Sequence, residues 1–123
     1  MGTQDNTALW HIVLISFRDS VPETVRREVY DRYQTLDKDC GGKDAGILFW
    51  KVDWNLDLRK KVHLVEIAVF RDDAALQAFR THPAHKSMTD MLRGCADWQV
   101  GDLNISAREF DGRTLYHQMS RKA

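Results

Sequence analysis

Five histidines are the residues best suited to chemistry near neutral pH. A neutral imidazole can act there as base, acid or metal ligand. His11 and His63 lie inside apolar runs. His82 and His85 flank Pro83 in Thr81-His82-Pro83-Ala84-His85, and His117 stands near the C-terminus. The simplest reading of one histidine in an apolar strand is a hydrogen-bonded core residue. Four outside the terminal segment point instead to a shared cleft. Metal binding has two starting points, the pairs His82/His85 and His63/Glu66, each three positions apart. Positions three apart on a strand face opposite sides, and Pro83 interrupts regular helical spacing, so no metal site is expected. Cys40 and Cys95 form no CxxC pair and read as buried thiols in a reducing compartment. No serine or cysteine sits in a nucleophile elbow, and no glycine-rich loop follows a strand. No cofactor is implied.

These residues must be placed by the elements around them. The chain has 123 residues, 18 basic and 18 acidic, with 43% hydrophobic and 29% charged. That is the balance of one globular domain with its own core. The absence of a basic excess speaks against nucleic acid as a partner. No apolar run reaches the roughly 18 residues of a membrane span, and the polar start lacks the apolar stretch of a signal peptide. Met1-Gly2 lacks the Ser or Thr expected at position 6 of a myristoylation start, where Asn6 stands. A cytoplasmic location is expected.

Trp10 to Phe17 (WHIVLISF) predicts a strand apolar on both faces. Ser20-Val21-Pro22-Glu23 predicts a capped helix start, with Ser20 and Glu23 as a capping box. Val21, Val25, Val29, Tyr33 and Leu36 then share one helical face, and Gly41-Gly42 ends the helix. Ile47 to Trp54 predicts a second strand, with Leu48, Trp50, Val52 and Trp54 on one face. Val62 to Phe70 predicts a third, with His63, Val65, Ile67 and Val69 facing one way and Leu64, Glu66 and Ala68 the other. Asp72-Asp73 opens a helix through Leu76 and Phe79, Pro83 starts another, and Trp98 to Ile105 is the last strand. The order is β-α-β-β-α(α)-β. It predicts an α+β, ferredoxin-like sandwich, a four-stranded antiparallel sheet with helices on one face. The uncovered face, with Trp50 and Trp54 expected at it, calls for a second copy of the chain.

His11-Ile12-Val13-Leu14 with Phe17, His63-Leu64-Val65-Glu66 through Phe70, and Phe79-Arg80-Thr81-His82-Pro83-Ala84-His85 together resemble the stress-responsive A/B barrel domain family. The resemblance spans about Trp10 to Ile105. It implies a ferredoxin-like chain whose two copies pack sheet against sheet into a dimeric α/β barrel. The family includes many proteins of unassigned function, so a small-molecule pocket without a specific activity is what it implies first. Its polyketide-cyclase branch in plants implies a second reading. There a base removes an activated C–H proton and a donor holds the oxyanion. That resemblance puts the base on His85, supporting pocket histidines on His11 and His63, and a pocket tyrosine on Tyr33. The branch's catalytic tyrosine falls on Phe79, which cannot donate a hydrogen bond. A third implied reading is a cofactor-independent monooxygenase, in which a substrate carbanion reacts with oxygen.

The expectation is therefore a homodimer with a cleft shared by His11, Tyr33, His63 and His85, beside Phe79. It would take a small apolar or polyketide-like ligand. The chain divides into an extension over 1–9, the barrel domain over 10–107 and a tail over 108–123. Phe110, Leu115, Tyr116 and Met119 predict that the tail packs in part on the barrel or its partner.

Overall fold

The computed structural model describes residues 7–106. The predicted tail packing and His117 lie outside the described residues. Four strands, β1 (Thr7–Phe17), β2 (Ile47–Trp54), β3 (Leu64–Phe70) and β4 (Ala96–Ser106), form one sheet in the order β2-β3-β1-β4. Every neighbouring pair is antiparallel. Helices α1 (Glu23–Gln34), α2 (Leu36–Asp39), α3 (Asp73–Thr81) and α4 (Pro83–Arg93) cover one face of it. This is the predicted ferredoxin-like sandwich.

Alternation along the strands builds the core. Leu9, Val13, Ile15 and Phe17 of β1 and Leu64, Ala68 and Phe70 of β3 are buried against the helices. Val29, Tyr33 and Leu36 answer from α1 and α2, Leu76 and Phe79 from α3, and Met88 and Leu92 from α4. Cys40 and Cys95 are buried, unbridged thiols.

The helix starts differ from expectation at one place. Ser20 does not cap α1, because the helix begins at Glu23 and Pro22 occupies the N-cap position without a side-chain cap. Ser20 stands two positions too early for its hydroxyl to reach the free amides. Asp72 does cap α3, accepting from the Ala75 amide at 2.9 Å. At α4 the cap is His82, whose Nδ1 accepts from the Ala84 amide at 3.0 Å. Pro83 follows as the first helical residue, where no amide is needed. Replacing this imbalance-free cap by His82→Ala should cost about 1 kcal/mol, read as a lowered urea midpoint at an unchanged slope. An unchanged midpoint would show that the imidazole contributes nothing there.

The first helix ends earlier than its glycines predict, at Gln34, with Thr35 as its C-cap and Leu36 on the separate short helix α2. After α2, Gly41 and Gly42 take positive φ (105° and 58°) and lead into a 3₁₀ turn, Gly42–Ala45. Gly46 closes that turn at φ 90°, so near α3 that a Cβ would lie 2.6 Å from the Ala75 methyl. No side chain fits at that position.

The faces of β2 are a second correction. The register shifts between Ile47 and Phe49, which makes Leu48 the extra residue of a bulge. Ile47, Trp50, Val52 and Trp54 then oppose Phe70, Ala68, Glu66 and Leu64, on the helix side. Trp50 and Trp54 are therefore not at the open face where an interface was expected. Trp50 Nε1 donates to the Tyr33 carbonyl at 3.0 Å, and Trp54 stacks on Tyr30 with ring centroids 4.9 Å apart. Wide rings here fill the gap between the sheet's edge and α1. The open face carries Trp10, Ile12 and Leu14 of β1, Phe49 of β2, and Val65, Ile67 and Val69 of β3, with Lys51 and Asp53 at its β2 margin.

Candidate functional site

A cavity of about 520 Å³ opens between the helices and the β1–β4 half of the sheet. His11, Tyr33, Glu66, His85 and Trp98 are among the residues lining it, and Arg80, Lys86, Asp90 and Arg93 line it too. Each element brings its side chain for a local reason. His11 alternates with Leu9 and Val13, so it faces the helices. Tyr33 ends the buried stripe of α1. His85 sits in the first turn of α4, whose direction is set by the His82-Pro83 corner.

His85 packs against Phe79 with ring centroids 4.5 Å apart. Burial pulls its imidazole below the ordinary histidine value, contact with the Arg80 backbone raises it, and the nearby His11, Arg80 and His82 lower it again. The ring is thus unprotonated at neutral pH. Burial, reinforced by the Glu66 carboxyl, holds the Tyr33 phenol well above its usual range, so it keeps its proton. Phe79 does not line the cavity but forms its wall support. Its ring meets His11 at 6.3 Å, Trp50 at 5.7 Å and Phe70 at 5.0 Å.

His63 is not part of this cavity. It precedes β3, and its Nδ1 accepts from the Phe17 amide at 2.9 Å. Burial, with the charges of Arg26 and Lys61, lowers its basicity, as suits a ring nitrogen that must accept. The expectation had paired the starts of two neighbouring strands. These strands are antiparallel, so His11 lies opposite Ala68 and His63 lies beyond the other end, near Ile15. Five residues of strand, roughly 17 Å, separate His63 from the level of His11.

The same register brings other residues in. His11 is directly opposite Asp102 of β4, and His11 Nδ1 lies 2.6 Å from Asp102 Oδ1. The second Asp102 oxygen accepts from Arg80 of α3 at 3.1 Å. On the other side of the imidazole, Nε2 is 3.5 Å from Glu66 Oε2. Glu66 is 2% exposed, and burial together with the Asp102 charge pushes its carboxyl up to about 8. Arg80 lies inside the Phe79–His85 segment but was given no role there, and Asp102 carries no motif that sequence reading could single out. Glu66 had one usable signal, a carboxylate in line with the core residues Leu64 and Ala68. Among the described residues no three His, Cys, Asp or Glu side chains meet in an arrangement that could hold a metal ion. His63 and His82 each spend a ring nitrogen on a backbone amide instead.

Residues 9–105 match the profile of the stress-responsive A/B barrel domain. The chain belongs to that family. Solved structures place this A/B barrel protein among ferredoxin-like folds of varied activity. A dimeric ferredoxin-like protein of unknown function from Thermobifida fusca YX superposes with a TM-score of 0.71 at 15% identity, covering 81% of this chain and 92% of that one. The hydroxynitrile lyase of Passiflora edulis gives 0.66 at 15% identity, covering 80% and 94%. SnoaB, a cofactor-independent oxygenase from Streptomyces nogalater, gives 0.59 at 14% identity, covering 78% and 90%. Identities this low show a shared fold. No curated protein matches the chain. Membership therefore assigns the A/B barrel protein a fold and no specific activity. Among its described residues no helix is long and apolar enough to cross a membrane.

Proposed function

We propose that this A/B barrel protein binds a small carbonyl compound with an apolar body and removes a proton from it, with His85 as the base. The observation that carries this is the placement of His85, packed on Phe79, at a cavity shared with His11 and Tyr33, where burial lowers the basicity of the His85 ring and raises the Tyr33 phenol. A base of this kind must be neutral at working pH and must meet the carbon acid away from bulk water. Val13, Leu92 and Trp98 supply the apolar walls that a carbon skeleton needs. Tyr33 and His11 orient the substrate in this reading. Phe79, where the cyclase branch has a tyrosine, holds the His85 ring in place. The functional unit is the barrel domain, residues 10–107, in a two-fold homodimer in the cytoplasm. The apolar open face supports pairing, and the Thermobifida fusca neighbour is described as dimeric.

Deuterium exchange tests the base. An alkyl-tailed β-keto ester in deuterium oxide, followed by proton NMR, should lose its central C–H signal faster with the wild type than in buffer. His85→Gln should lower the protein-dependent rate by about 10²- to 10⁴-fold, the usual weight of a positioned base. Equal rates for the wild type and His85→Gln, with both folded by circular dichroism, would overturn the assignment.

A further inference from the structure

The two tryptophans of β2 use their indole N–H groups differently. Trp50 Nε1 donates to the Tyr33 carbonyl. Trp54 Nε1 has no hydrogen-bond partner among the described residues, although its backbone amide is held by Asp53 Oδ1 at 2.8 Å. The Trp54 ring is half-buried and lies 5° from parallel to Tyr30 of α1. It also walls a surface groove of about 560 Å³, whose other lining residues are Glu23, Thr24 and Arg27 of α1. This groove shares no lining residue with the His85 cavity. It lies on the helix side at the β2 edge of the sheet, so pairing through the open face leaves it free.

Glu23, Thr24 and Arg27 are exposed and stand on neighbouring turns of one helix. Opposite charges four positions apart ordinarily pair along a helix. Arg27 instead lays its guanidinium over the Tyr30 ring, 5.6 Å from the centroid. The Glu23 charge reaches His63, but its carboxylate makes no ion pair or hydrogen bond among the described residues. The groove thus offers an acceptor in Glu23, donors in Arg27 and Trp54, and a Thr24 hydroxyl that does both. The two charges exclude a charged ligand, since a cation would meet Arg27 and an anion would meet Glu23. A neutral molecule rich in hydroxyls suits both, because each hydroxyl can donate to a carboxylate and accept from a guanidinium or an indole. The aromatic wall adds a requirement of shape. An indole face is negative and attracts the positive ends of C–H bonds, which a pyranose ring carries together on one side.

We propose that this groove is a second ligand site, which binds a neutral sugar ring stacked on Trp54 with its hydroxyls shared among Glu23, Thr24 and Arg27. It is a binding site without chemistry, and it stands whether or not His85 acts as a base. Its few contacts are open to water, so affinity is modest, with a dissociation constant on the order of 1 mM.

Titration with cellotetraose and with maltotetraose, followed by proton–nitrogen correlation NMR, tests the site. The indole N–H signal that is missing from Trp54→Phe belongs to Trp54. In the wild type it should move saturably with at least one oligosaccharide. It should stay still with sorbitol, which has hydroxyls but no ring face. Thr24→Val and Arg27→Met, both at exposed positions, should each weaken binding about two- to tenfold, the weight of one hydrogen bond. Trp54→Ala, followed through the Thr24 amide signal, should lose binding altogether. Since Trp54 packs on Tyr30, the two exposed variants decide the matter if Trp54→Ala does not fold. No saturable shift with either oligosaccharide, an equal shift with sorbitol, or undiminished binding by both Thr24→Val and Arg27→Met would each overturn the proposal. Tighter binding of adenosine than of either oligosaccharide would overturn it too, by making the groove a platform for flat aromatic rings.

Discussion

Ile12→Asp should turn a species of twice 14.3 kDa into one of 14.3 kDa in sedimentation at micromolar concentration. Helices protect one face of the sheet. The other presents the half-buried Trp10, Ile12 and Leu14 beside Val65 and Ile67, at the centre of the sheet where β1 and β3 pair. Ile12 stands directly opposite Ile67. Leu103 of β4 adds a side chain that is 59% exposed. An apolar face of this kind on a small chain is ordinarily covered, and a two-fold partner burying on the order of 2,000 Å² in total is the scale of a permanent interface. An aspartate at its centre would have to shed its water with no cation opposite, a loss of several kcal/mol per subunit. Lys51→Ala, at the charged β2 margin, should leave the mass unchanged. A wild type that sediments as the monomer, or an Ile12→Asp variant that still pairs, would refute the assembly.

Glu66 should also dominate the dependence of stability on pH. Its carboxyl is raised from 4.5 to about 8 in the folded protein. Between those values the folded chain holds a proton that the unfolded chain has released, so unfolding becomes easier as pH rises. The stabilisation is complete below about 4.5 and is lost by about 8, a total on the order of 4–5 kcal/mol. His63 and His85 act in the opposite sense. Their lowered basicity means that stability is full above 6.5 and falls as the pH drops below it. The wild type should therefore show a dome, with its alkaline slope due to Glu66. Glu66→Gln, which carries no titrating proton, should flatten that slope and be the more stable protein at pH 8. Denaturant unfolding from pH 5 to pH 9 measures both limbs. Coincident curves for the two proteins would show that the carboxyl finds a counter-charge on ionising.

The elements themselves were legible because each is declared by local chemistry. Val25, Val29 and Tyr33 repeat at a helical period, Asp72 caps its helix, and Gly41 and Gly42 stop the chain where positive φ is needed. Their order leaves few topologies, and the ferredoxin-like one was read correctly. The failures were one bulged residue, one misplaced cap and one helix that breaks at Thr35 before its glycines. Leu48 drops out of the alternation of β2 and turns Trp50 and Trp54 to the helices. Ser20 lies too far upstream for its hydroxyl to matter.

The candidate site divides along a similar line. The sequence by itself determined that Tyr33 lies on the buried stripe of its helix and that His85 follows a proline corner, whereas His11, on a strand apolar on both faces, was assigned to the cleft by resemblance. It could not determine which residue of a neighbouring strand each would meet. That depends on register between strands far apart in the chain, and antiparallel pairing reverses the naive match of one strand's start with another's. Tertiary structure alone therefore sent His63 to the Phe17 amide and brought Glu66 and Asp102 to the two nitrogens of His11. It also decided the protonation states, because burial and neighbouring charge, which hold a carboxyl neutral and an imidazole uncharged, exist only once the chain has closed around them.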